Sequence, residues 1–201
     1  MKLDSSHLNT AATVAAAIAA FASCVAAFKS NKTSKTLAKI ERDRRHAELY
    51  PVFDVALEKL GTDNLKLTLW LRGPDSLGKI ESLIVSIRDD KQVSASPVGS
   101  PTESEIAKQI WGPRRFTPAV GNASEDGRSV PYSNLIRGDK AIFQLEKTPM
   151  PTWMTSSGTD EWWEQMGIER LIKISIYCKN SEMDGWTVPW DVTLPSRPRA
   201  F

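Results

Sequence analysis

The chain has 201 residues, room for one ordinary domain and an appendage, and a domain of about 150 residues buries roughly 70% of its unfolded surface without covalent staples. Its two cysteines, Cys24 and Cys178, lie far apart, and Cys24 falls in an apolar run, which argues against a disulfide framework and suits a reducing compartment. The formal charge of +2 is uneven: residues 1–50 carry eight Lys and Arg against four Asp and Glu, leaving 18 against 20 for residues 51–201, so a domain-wide basic footprint for nucleic acid is excluded.

After a short tail at residues 1–10, residues 11–28 read AATVAAAIAAFASCVAAF, without charge, Gly or Pro. As a helix this run is about 27 Å long, close to the thickness of a hydrocarbon core, and the spacing predicts a transmembrane helix. Alanine adds little transfer free energy, so insertion rests on Val14, Ile18, Phe21, Val25 and Phe28. A soluble alanine-rich helix is the bland alternative. A cleaved signal peptide fits less well, because signal peptides place their charges ahead of the apolar stretch and here only Lys2 precedes it.

The basic excess follows the run, at Lys29, Lys32, Lys35, Lys39, Arg42, Arg44 and Arg45. By the positive-inside rule this puts the N-terminus outside and the rest of the chain in the cytoplasm, as a single-pass protein of the cell membrane whose first partner is the lipid bilayer. Ala12, Ala16 and Ala20 recur every four residues, as do Ala15, Ala19, Ser23 and Ala27, a small-residue pattern that would permit a homodimer through the transmembrane helix.

Residues 29–50 form a basic stalk; helix propensity is high from Thr33 onward, and Pro51 marks the helix end. His46, without a second ligand at helical spacing, reads as a surface residue.

From residue 51 the period becomes two. Leu65, Leu67, Leu69 and Leu71 occupy alternate positions, with Lys66, Thr68 and Trp70 between them; Leu83, Val85 and Ile87 share one face of 79–89, and Ile172, Ile174 and Ile176 one face of 168–177. Strands are also predicted at 51–59 and 141–146. In GWTVPWDVTL, Trp186, Val188, Trp190, Val192 and Leu194 alternate, and Pro189 suggests an edge strand or a bulge. Half-solvated strands with no strand–helix–strand rhythm predict a mainly β fold for residues 51–201: an antiparallel β-sandwich, immunoglobulin-like or C2-like, behind the long N-terminal transmembrane and stalk α-helix.

Three long connections, near residues 90–110, 112–134 and 148–167, hold the unusual side chains. Trp111, Arg114, Arg115 and Phe116 combine aromatic and guanidinium groups that would stack on or clamp a planar or anionic ligand, or else plug the end of the sandwich. Trp153, Trp162 and Trp163 would serve a protein partner or cap the core. Asp89 and Asp90, with Asp75, Asp126 or Asp139, read as solvated turn residues rather than a calcium site, and no metal or cofactor is expected. With His7 and His46 both ahead of residue 51, no histidine-dependent catalytic group can be assembled in the domain, and no catalytic residue is expected. Asn122-Ala123-Ser124 matches a glycosylation acceptor that a cytoplasmic domain would not present.

The stretches ERDRRHAELYPVFDV, LTLWLRGPDSLGKIESLIVSIRDD, IWGPRRFTPAV, FQLEKTPMPTW and GWTVPWDV resemble a family of bacterial proteins, common in actinomycetes, with one N-terminal membrane helix before a β-rich domain and no assigned activity. The resemblance implies the anchor and the compact domain and carries over no functional residue. The expected function is a membrane-tethered, non-enzymatic interaction or scaffold module that binds a protein partner. The alternatives are a carboxylate-based enzyme acting on a membrane-proximal substrate and a C2-like lipid- or calcium-binding domain.

Overall fold

The structure, a computed structural model, describes residues 5–61, 63–88, 101–118, 120–154, 162, 164, 171–181 and 183–194, and the backbone alone of 5–20, 22 and 24–26. The chain divides into two compact units, Met1–Glu48 and Leu49–Phe201.

The first unit is a single helix, α1 (Ser5–Glu48). From residue 27 to residue 45 every side chain is exposed, including Lys29, Lys32, Lys35 and Lys39. This length is held by helix propensity and by local contacts such as the Arg44–Glu48 ion pair at 2.8 Å, four residues apart, rather than by an apolar face. Among the described residues no helix is long and apolar enough to cross a membrane. Most side chains of the apolar run 11–28 lie outside the described residues.

The second unit is mainly β. Eight strands follow in order: β1 (Val52–Leu60), β2 (Asn64–Gly73), β3 (Lys79–Ile87), β4 (Arg114–Phe116), β5 (Ser129–Ile136), β6 (Lys140–Lys147), β7 (Leu171–Lys179) and β8 (Trp186–Thr193). A short helix, α2 (Glu103–Lys108), lies between β3 and β4. All pairings are antiparallel, in two sheets of four with orders β1-β2-β6-β4 and β5-β3-β7-β8. The arrangement is consistent with a β-sandwich.

Alternation explains the packing. Leu65, Leu67, Leu69 and Leu71 of β2 are at most 3% exposed, and they join Leu83, Val85, Ile87, Ile172, Ile174 and Ile176 in one apolar cluster shared by both sheets. Each such side chain contributes about 2 kcal/mol on burial, an upper figure against an extended reference chain. Between the sheets, Phe143 of β6 meets Phe116 of β4 and Tyr132 of β5 edge-on, each at 6.0 Å between ring centroids. Pro189 lies on β8, an edge strand as its sequence suggests, and Pro131 lies on β5, the other edge of the same sheet. At an edge the missing N–H can face solvent, and proline discourages a further strand from pairing there.

The connection expected at residues 112–134 differs from expectation, since it contains β4 and most of β5. The alternation of β5 is broken: Val130 and Leu135 are both buried although five residues apart, because Asn134 takes a positive φ of 58° and shifts the inward face by one residue. Ile80, the pairing partner of Leu135, is likewise buried on the opposite parity to Leu83. A strand that changes face midway carries no period-two signal. The connection expected at residues 90–110 contains the helix α2, which starts in a capping box: the Thr102 hydroxyl accepts from the Glu105 N–H and the Glu105 carboxylate accepts from the Thr102 N–H at 2.8 Å.

Gly127 closes the turn before β5. Its φ is +72°, and a Cβ there would stand 2.4 Å from the Phe116 carbonyl oxygen, a backbone atom that cannot step aside. Gly121, at φ +63°, would meet only a Val130 methyl at 3.9 Å. Gly127→Ala is therefore expected to destabilise the domain by about 2 kcal/mol or more, and Gly121→Ala by about 1 kcal/mol. Thermal unfolding checks this, with Tm shifts of roughly 2–4 °C per kcal/mol.

Candidate functional site

The strand register fixes which connections share an end. The chain enters β1 at Val52, paired with Gly73. At this near end lie the short links 74–78, 137–139 and 180–185. At the far end lie 61–63 and the three long connections 88–113, 117–128 and 148–170. The far end gathers nearly all the residues that the sequence marks as unusual.

Three of the four expected tryptophans come together there. Trp111 meets Trp153 at 6.2 Å and Trp162 at 5.9 Å between centroids. With Ile106, Met150 and Met154 they form an apolar cluster separate from the main core. Trp111 is 7% exposed and Trp162 2%, while Trp153 is half-buried, so the rings chiefly hold the loops to one another. Trp163 lies outside the described residues. Polar contacts stitch the same loops. The buried Thr148 donates its hydroxyl to the Gly112 carbonyl at 2.6 Å, and its N–H points to the Pro113 carbonyl at 3.3 Å.

The remaining expected residues are spread along β4. Phe116 is fully buried in the main core. Arg115 forms an ion pair with Glu146 on the neighbouring β6 at 2.6 Å, half-buried, in the charge-assisted geometry that holds such groups in place. Arg114 donates to the Asp63 carbonyl, and its pairing partner Lys147 meets the Asp63 carboxylate at 2.5 Å. Both guanidinium groups are thus engaged within the protein and fasten the far-end turns to the sheet.

Sequence reasoning passed over Arg128. Its guanidinium donates to the carbonyls of Gln109 at 2.9 Å and Ala107 at 3.3 Å, the open carbonyls where α2 ends. Its backbone N–H donates to Asp126 at 2.9 Å. Burial works to raise the Asp126 carboxyl, but the hydrogen bonds from Ser124 and the Arg128 N–H, with the nearby Arg128 charge, outweigh it and hold the group below its ordinary value. One arginine therefore ties the turn before β5 to the segment that carries Trp111. No local sequence signal marks it, because its partners are backbone oxygens some twenty residues away.

Chemically the far end offers shape and hydrogen-bonding surface. Among the described residues no group of three or more His, Cys, Asp or Glu gathers at metal-binding distance. Asp75 is ion-paired with Arg137 at 2.7 Å, away from Asp126, and Asp89 and Asp90 lie outside the described residues. No protein-family model matches the chain, and comparison with curated proteins and with solved structures returned no match.

The thiol of Cys178 is fully buried in the main core, and burial pushes its pKa up to about 12 despite a contact to the Trp186 carbonyl at 3.8 Å. At pH 8 almost none is thiolate, so it serves the core as a small apolar group. Labelling with a thiol reagent in the folded state should leave Cys178 unmodified, and denaturant should release full reactivity; modification without unfolding would contradict this burial.

Proposed function

We propose that this protein is a membrane-tethered, non-enzymatic interaction module. Residues 11–28 span the bilayer with the N-terminus outside, Lys29, Lys32, Lys35 and Lys39 flank the cytoplasmic face, and residues 51–201 act in the cytoplasm on a protein partner. The observation that carries the interaction reading is the gathering of every long connection at the end of the sandwich opposite the one where the chain enters. Long loops on a rigid sheet scaffold are where binding surfaces form, and here a private apolar cluster joins Trp111 to Met150, Trp153, Met154 and Trp162, while Arg128 ties the turn before β5 to Gln109.

In this reading the buried tryptophans preorganise the surface, and contact falls to the exposed rim, which includes Lys108, Val120, Asn122 and Glu125. The division into four and four strands is nearer to the C2-like alternative than to the four-and-three constant immunoglobulin arrangement. The resemblance to tethered β-rich proteins of actinomycetes agrees with the same placement.

The tether is tested by fractionation with an alkaline wash, applied to the intact chain and to a version lacking residues 1–30, with protease added to sealed vesicles of each orientation. The intact chain is expected in the washed pellet, the truncated one in the supernatant, and digestion of the domain only where the cytoplasmic face is exposed. An intact chain that washes off, or a domain protected on the cytoplasmic side, contradicts the proposal.

A further inference from the structure

Each sheet has two edge strands, and three of the four edges are obstructed. Pro131 lies on β5 and Pro189 on β8, where each denies a further strand one N–H. β4 has three residues, and its Phe116 N–H already donates to the Gly127 carbonyl at 2.9 Å. The fourth edge is β1, nine residues long and without proline.

The ladder fixes which backbone groups of β1 face outward. The Thr117 N–H donates to the Gln144 carbonyl at 3.0 Å, so Gln144 of β6 turns its backbone groups away from β2. Bonding alternates along antiparallel strands. Phe143 and Leu145 therefore bond to Leu67 and Leu65, while Lys66 and Thr68 turn the other way, to Glu58 and Ala56 of β1. The intervening Val55 and Leu57 aim N–H and C=O out of the open side of the sheet. Among the described residues no hydrogen bond reaches these four groups.

The side chains around this opening divide by face. On the inner side Val55 and Leu57 pack on the main core but stay half-buried, and so does Trp190 of β8, the strand of the other sheet that β1 meets. On the outer side Asp54 and Glu58 flank Ala56. Each carboxylate meets one cation of β2, Arg72 or Lys66, at 2.5 Å and remains about half exposed.

A row of outward N–H and C=O groups specifies another extended backbone as its occupant. We infer that β1 binds an extended segment of a partner protein as an added strand, apolar at the positions beside Val55 and Leu57 and basic at those beside Asp54 and Glu58. A second copy of β1 fits poorly. Antiparallel pairing of two copies about Ala56 sets Asp54 opposite Glu58 of the second copy, twice, and like charges directly opposite are destabilising. Moving the centre to Val55 or Leu57 sets Asp54 or Glu58 diagonal to its own counterpart. This surface is distinct from the far-end loops, and it depends on neither those loops nor the tether.

The test uses the isotope-labelled full chain in detergent, with amide exchange read by NMR. The probes are a capped synthetic peptide, Thr-Lys-Val-Thr-Val-Lys-Thr, and its counterpart with Glu in place of Lys. In the free chain the amides of Ala56 and Glu58 should be protected and those of Val55 and Leu57 should exchange freely. At saturation the lysine peptide should slow Val55 and Leu57 by about tenfold or more. It should bind about tenfold more tightly than the glutamate peptide, as two cross-strand charge pairs change sign between them. Val55→Pro removes one outward N–H and no ladder bond, and should abolish binding; circular dichroism checks that it is folded. If it fails to fold, the double variant Asp54→Lys with Glu58→Lys decides, because it should prefer the glutamate peptide. No response at Val55 and Leu57, or a folded Val55→Pro chain that binds as before, overturns the inference. So does a double variant that keeps the original preference. Protection of both amides without peptide also overturns it: if constant with protein concentration, the chain covers its own edge, and if rising with concentration, a second copy does.

Discussion

The apolar contact between the leucine row of β2 and the isoleucine rows of the facing sheet is the interaction on which the rest of the structure depends. Leu67 and Leu69 are fully buried, as are Ile174 and Ile176 opposite, so neither sheet presents this face to water. From β2 to β7 the chain alternates between the sheets at every step, and only β1–β2 and β7–β8 are hairpins within one sheet. Every other connection must therefore cross an end of the sandwich. Crossings at the near end are short, 74–78 and 137–139, and those at the far end are long, 88–113, 117–128 and 148–170. The topology thereby concentrates the long connections at one end and leaves the other tightly tied.

Much of the sandwich was legible because most strands repeat one rule. β2, β6, β7 and β8 put alternate positions inside, as β3 does from Leu83 onward, and a period of two needs no knowledge of partners. What was not legible depended on contacts between distant residues. β5 changes face at Asn134 in concert with Ile80 on its neighbour, and β4 is too short to show a period. Trp111, Trp153 and Trp162 were identifiable as unusual, but their mutual packing was not, because it joins two connections brought together only by the sheet order. Arg128 acts through carbonyls of another loop, which composition does not reveal. In the first unit the helix was readable from propensity, with its end set ahead of Pro51.

Charge divides the molecule's surfaces as clearly as burial divides its interior. The stalk of α1 carries the basic excess, whereas the outer faces of both sheets hold ion pairs, Lys66–Glu58 and Arg72–Asp54 on the first and Arg88–Asp191 at the end of the second. A half-exposed ion pair such as Lys66–Glu58 contributes at most about 1 kcal/mol to stability, so its main consequence is solubility of that face.

The central claim is that the far-end loops are held by their own small cluster, on a sandwich that is stable without it. Hydrogen exchange on the full chain, unsubstituted and with Trp111→Ala, tests this most directly. Loss of protection confined to residues 101–113 and 148–154, with β2, β3 and β7 exchanging as before, is the result this account predicts. Parallel loss across the strands would show that the tryptophans belong to the main core, and would contradict it.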